Sequence, residues 1–296
     1  MNQELSPRLT RLTSLSRKDL PPSALYHHFD WVESLDHSQW WTSPELLTFA
    51  GTPLMESTPE ATLRELGKWE CINLFTINVH GERDLLVEVM RRMHTSELQE
   101  ADEYLHHFVE EENQHMWFFA EFCRRYGGKI YANKKAKLHP EKDPFLETFL
   151  VFARIYIFEE VGDFYNVGMM DDPQLHPLVR DIHTTHHRDE SRHIAFGRAL
   201  FESMAHKLVA GYSPEVVKDV GNKLMQFSQI MLQSLYNPMV YRDAGFASGM
   251  DIRNELLASP IRRAHHRKVM NRANKLFVKT GLVSEADIHA TPCFAD

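Results

Sequence analysis

The chain has 296 residues, with 41 Asp and Glu against 33 Lys and Arg and a formal net charge of −8. A hydrophobic fraction of 43% with 25% charged residues marks a globular chain, not a disordered one, and net acidity argues against a nucleic-acid binder, which needs a basic footprint. Three scattered cysteines, Cys71, Cys123 and Cys293, form no CxxC pair and no disulfide framework, so a reducing cytoplasm is the expected setting.

Residues 1–57 read as an irregular extension. Prolines 7, 21, 22, 44 and 53 interrupt it. Its aromatic residues, among them Tyr26, Phe29, Trp31, Trp40, Trp41 and Phe49, suit packing against the main body. The N-terminus lacks the apolar core of a signal peptide. Residues 58–296 then read as a single domain. Thr58-Pro59-Glu60 is a helix start, and the helix runs to about Met93. Thr95-Ser96 is expected to cap a second helix that runs to Tyr126 and stops at Gly127-Gly128. Asp143-Pro144 opens a third, very apolar helix that ends by Asp172-Pro173, and a fourth runs from about Pro177 past Ala205. The stretch 145–157 is too short to span a bilayer and contains Glu147 and Arg154, so no membrane association is expected. Ser213-Pro214 opens a fifth helix, to about Tyr236, and a last helix is expected over 259–279. No alternating strand pattern occurs, so the expectation is an all-α helical bundle.

Histidine is unusually frequent, with 18 copies against 13 glycines. Two segments organise part of that excess: Glu111-Glu112-Asn113-Gln114-His115 and Asp189-Glu190-Ser191-Arg192-His193. Both read acid-Glu-x-x-His in mid-helix. Glu and His three apart lie about 60° apart around the axis and one turn on, so both reach a single metal. Carboxylate oxygen and imidazole nitrogen suit iron or manganese. A single such motif is weak, because exposed helices produce it by chance. A dinuclear carboxylate site in a four-helix bundle also needs one glutamate from each of the other two helices.

The candidates are Glu70 or Glu82 on the first helix and Glu159 or Glu160 on the third. Glu70 and Glu82 are 12 residues apart, roughly 18 Å along a helix, so they cannot share one site. Glu82 precedes Glu112 by 30 residues, as Glu159 precedes Glu190 by 31. That match, and the distance of Glu82 from the turn, favours Glu82 over Glu70; a shared apolar stripe favours Glu159 over Glu160. His186 precedes Glu190 by four and His193 by seven, on the same helical face. Metal-bound histidines usually give their other N–H to a carboxylate. Asp189 is placed to accept from His115, Glu111 from His193, and Asp163 from His186. Phe75, Phe118, Phe152 and Tyr156 read as core residues that can keep the site dry. Arg262, Arg263 and Arg267 read as a solvated basic face that can alternatively orient a substrate carboxylate.

The set Glu82, Glu112-x-x-His115, Glu159, His186-x3-Glu190-x2-His193 resembles that of the ferritin-like di-iron oxygenases of the p-aminobenzoate N-oxygenase family. His186 is the discriminating member, since most relatives with two such motifs have only two histidine ligands. The run Trp41-Thr42-Ser43-Pro44-Glu45-Leu46-Leu47, followed by Gly51-Thr52-Pro53, is also similar to that family. The resemblance covers residues 40–280. It implies a ferritin-like four-helix bundle with additional C-terminal helices, two iron ions, O2 as co-substrate, and oxidation of an arylamine-type amine to hydroxylamine, nitroso or nitro product. The chain shows no GxGxxG and no cysteine set for an iron–sulfur cluster, so electrons come from an external donor, a redox partner protein or a small reductant. A homodimer is compatible with this reading. So is a manganese–iron pair, which accepts the same ligands. Two alternatives keep the metal site: C-hydroxylation or desaturation of another small apolar substrate, and ferroxidase or iron-binding activity without an organic substrate.

Overall fold

The computed structural model describes residues 28–36, 38–96, 98–132 and 140–295. Residues 1–27 of the expected extension, Tyr26 among them, lie outside the described residues. The four long helices are α1 (Glu60–Met90), α2 (Asp102–Phe122), α3 (Pro144–Met169) and α4 (Pro177–Gly211). They pack as two hairpins, α1 with α2 and α3 with α4, and the hairpins close on each other through α1–α3 and α2–α4 contacts. This is a ferritin-like helical bundle. Among the described residues the sole strand-like pairing is a bridge between Trp40 and Leu175, and no described helix is long and apolar enough to cross a membrane.

Local chemistry explains most boundaries. The Asp143 carboxylate accepts from the N–H groups of Phe145 (2.8 Å) and Leu146 (3.1 Å), with Pro144 at the first helical position. The His176 ring accepts from Leu178 N–H at 3.2 Å and Pro177 follows it. After Phe122, α2 widens into one π-helical turn, Cys123–Gly127, and stops at Gly128, whose φ of 66° is left-handed. α3 is apolar on nearly every side because it is covered on every side: by α4, by α1, by α5 (Pro214–Ser234) and by the C-terminal helices.

Two boundaries differ from expectation. Thr95-Ser96 does not cap α2. The Thr95 hydroxyl instead donates to Arg92 O at 2.8 Å, and a 3-10 turn, Gln99–Ala101, leads into α2 at Asp102. The expected helix over 259–279 is broken at the buried Met270 into α8 (Pro260–Val269) and α9 (Asn271–Lys279). It is not the last helix. Short α6 (Pro238–Asp243) and α7 (Gly249–Ala258) precede it, and α10 (Glu285–Ala290) follows.

The described part of the N-terminal segment lies on the bundle through its aromatic residues. Phe29 meets Phe118 at 5.2 Å between ring centroids, Trp31 meets Trp117 at 6.0 Å, and Trp41 meets Phe122 at 5.6 Å. Between α1, α3 and α5 lies a cavity of about 1390 Å³. Gly81 and Phe158 line it, the chain neighbours of Glu82 and Glu159.

Candidate metal centre

The four long helices carry seven titratable side chains to one point in the bundle. Glu82 comes from α1, Glu112 and His115 from α2, Glu159 from α3, and His186, Glu190 and His193 from α4. None is more than 3% exposed. Glu112 and Glu190 stand between the histidines. His193 Nδ1 lies 2.7 Å from Glu112 Oε1 and 3.4 Å from Glu190 Oε2. His115 Nδ1 lies 3.6 Å from Glu112 Oε2 and 3.4 Å from Glu190 Oε1. His186 Nε2 lies 2.8 Å from Glu190 Oε1 and 3.8 Å from Glu82 Oε1. Two groups of donor atoms are close enough to share an ion: Glu112, His115, Glu190 and His193, and Glu82, His115 and His186.

These atoms crowd together at ion-pair distances without directed hydrogen bonds to one another. Both carboxylate oxygens of Glu82, Glu112 and Glu190, Glu159 Oε1, His115 Nδ1, His193 Nδ1 and His186 Nε2 are buried without a hydrogen-bond partner. Contacts as short as 2.7 Å therefore do not run in hydrogen-bonding directions. Burial and the neighbouring carboxylates push Glu82 and Glu159 well above the usual carboxylate range. Burial opposes charge on His115 and His193, yet the carboxylates around each pull it well above the ordinary imidazole value. Burial likewise opposes charge on Glu190, but His193 and His186 hold it well below its ordinary value. Four buried carboxylates and three imidazoles so arranged match the charge of two divalent cations.

The outer faces of the histidines are engaged. His193 Nε2 lies 2.8 Å from Glu111 Oε2, and His115 Nε2 lies 3.3 Å from Asp189 Oδ2. Both therefore turn Nδ1 inward. Asp163 is not the partner of His186. It accepts from His187 Nδ1 at 2.5 Å and from Arg272 at 3.0 Å. His186 Nδ1 instead meets the Asn166 side-chain amide at 2.8 Å, and the same amide meets His183 Nδ1 at 2.8 Å. Burial lowers His183 to about 3, so this histidine is neutral. Sequence reasoning missed Asn166, although it sits seven residues after Glu159 on the same stripe of α3.

The residues competing with Glu82 and Glu159 face elsewhere. Both Glu70 oxygens take the Thr48 backbone N–H, at 3.1 and 3.0 Å, and one also takes the Thr48 hydroxyl. Glu160 accepts from Tyr156 at 2.8 Å and pairs with Arg272 at 3.1 Å. The rings nearest the histidines are Phe108 on His193 (4.3 Å), Phe119 on His186 (4.9 Å) and Phe118 on His115 (5.5 Å). Of the four aromatic residues expected around the site, Phe118 is there. Phe75 meets His183 at a tilt, whereas Phe152 and Tyr156 turn toward Phe196 and Phe201. The basic face expected on α8 is not solvated throughout. Arg262 is buried, donates to Tyr236 Oη at 3.0 Å and to Ala50 O at 3.3 Å, and feels Glu70 nearby.

A family model described as P-aminobenzoate N-oxygenase AurF matches residues 4–281. No curated protein shows a significant match to the chain.

Proposed function

Because the chain belongs to the p-aminobenzoate N-oxygenase family, matched over residues 4–281, we propose that it oxidises the nitrogen of a small aromatic amine with O2 at two iron ions held by its bundle. Members of this family are di-iron N-oxygenases, so the chain is a non-haem di-iron oxygenase, an oxidoreductase. The observation that carries the ligand assignment is the set of buried, inward-facing donor atoms that bond nothing else. On this reading Glu82, His115 and His186 would hold one ion, and Glu112, His115, Glu190 and His193 offer the donors for a second, with Glu159 beside Glu190 and Glu112 as a further carboxylate. The donor set is hard oxygen and imidazole nitrogen, which suits iron and accepts manganese.

A bound iron pair supplies the reduction of O2 and the transfer of one oxygen atom to the amine nitrogen. The step from amine to hydroxylamine consumes O2, two electrons and two protons and releases one water. Electrons enter from an external donor, because the three cysteines are too few to hold a cluster. The chain keeps the centre dry, with Phe108, Phe118 and Phe119 against the histidines. Glu111, Asp189 and Asn166 hold the outer nitrogens, so that each histidine presents a fixed inner nitrogen.

Two measurements test the proposal. Protein from iron-replete growth should carry about two irons per chain; metal-free or zinc-only protein overturns it. The reduced protein should then be mixed with O2 and challenged with arylamines, alkylamines and fatty acids. Arylamines should speed the decay of the optical species formed with O2 and appear as hydroxylamine or nitro products. Turnover confined to C–H oxidation overturns the N-oxygenase assignment and leaves the iron site standing.

A further inference from the structure

Arg192 lies on α4 immediately before His193, and its side chain is 46% exposed. One nitrogen, Nη2, makes two contacts. It donates to Glu111 Oε1, and to Asp189 Oδ1 at 2.7 Å. The second oxygen of each acid faces a histidine: Glu111 Oε2 lies 2.8 Å from His193 Nε2, and Asp189 Oδ2 lies 3.3 Å from His115 Nε2. The result is one continuous strap, His193–Glu111–Arg192–Asp189–His115, across the outside of the centre, running from α4 to α2, back to α4 and again to α2. Arg188 adds a contact to Asp189 at 3.2 Å, but touches only that acid. The repeat is one-sided, because the first motif has Gln114 where the second has Arg192. One cation therefore governs both acceptors.

We propose that Arg192 is a positioning residue for the metal centre: by bridging Glu111 and Asp189 it fixes both outer acceptors, so that His115 and His193 present Nδ1 in register. It also sets how much negative charge reaches the ions. A carboxylate behind a ligand histidine makes that histidine a stronger donor and favours the more oxidised metal. A guanidinium on the far side of the carboxylate draws charge back. Removing the cation therefore favours the oxidised ions, whereas neutralising the acid favours the reduced ones. This inference rests on the ligand assignment made above.

The experiment compares wild type, Arg192→Gln, Arg192→Lys and Glu111→Gln in the full chain. The readouts are ferrous-ion affinity, the midpoint potential of the iron-loaded protein, and thermal unfolding of the iron-free protein. Arg192→Gln should weaken ferrous binding about tenfold and move the potential more negative. Arg192→Lys should restore both, since a single nitrogen makes both contacts. Glu111→Gln should move the potential the opposite way. Unchanged affinity and potential in Arg192→Gln overturn the inference. So do shifts of the same sign in Arg192→Gln and Glu111→Gln, or a loss that lysine fails to restore and that merely tracks lower stability of the iron-free protein. A wild-type chain that takes no iron overturns the ligand assignment itself and is separately recognisable.

Discussion

Glu70 and Glu82 share a residue type, a helix and burial, yet their surroundings make them different chemicals. Glu82 has two unbonded oxygens among histidines, whereas Glu70 is held by Thr48. Glu82→Gln should therefore reduce iron content, while Glu70→Gln should leave it near two per chain; metal analysis of the two purified variants decides. Glu70 carries its own pH signature. Burial, partly offset by Thr48 and Arg262, raises it to about 7. A carboxyl whose folded value lies above its unfolded one contributes stability that is fully present below the unfolded value, near 4.5, and lost as pH rises through the folded value. Relative to Glu70→Gln, wild type should lose about 3 kcal/mol between about pH 4.5 and 8, seen as a divergence of the two chemical-denaturation curves. The 30-residue interval to Glu112 separated these glutamates in the sequence, because two antiparallel helices return to the same level after equal lengths. Asn166 and Arg192 were not legible in that way. An amide bridging His183 and His186, and a cation bridging two acids, depend on where side chains end, and spacing along one helix says little about that.

At the scale of the helix, boundaries marked by a proline at the first helical position were readable, as at Asp143-Pro144, where the Asp143 side chain also caps, and at Ser213-Pro214, where the Ser213 side chain makes no capping bond. The α1–α2 turn was not. His94 takes a left-handed φ of 58° and its backbone N–H donates to the Asp102 carboxylate at 2.8 Å, so the first residue of α2 is bonded back into the turn. The break at Met270 has neither glycine nor proline at it and leaves no mark in the sequence. One glycine inside α1 matters for packing. A Cβ on Gly81 would stand 2.2 Å from the Phe158 ring, next to Glu82 on one helix and Glu159 on the other. Gly81→Ala gains helix propensity but forces α1 and α3 apart. It should cost a net of about 1–3 kcal/mol, measurable by denaturant unfolding of the iron-free protein, and lower iron occupancy. An undiminished midpoint with full iron would show that Phe158 simply rotates away.

For the whole molecule, four like charges in a dry interior set the energetics. In the iron-free chain protons must do part of the work of the cations, which is why Glu82, Glu159, His115 and His193 are all displaced upward. Iron binding should therefore release protons into weakly buffered solution and raise the melting temperature with iron concentration; calorimetry in buffers of different ionisation enthalpy reads both. The route out of the centre is equally a property of the whole chain. Phe29 lies on Phe118, and Phe118 lies on His115 and within 6.4 Å of His186. The N-terminal segment is thus one ring removed from two of the three histidines. Phe118 packs against both of those histidines, so we expect it to restrain their movement when an ion is released. Phe29 then acts on lifetime more than on affinity: Phe29→Ala should let a chelator strip iron several-fold faster while the equilibrium iron content of the undisturbed protein stays near two per chain.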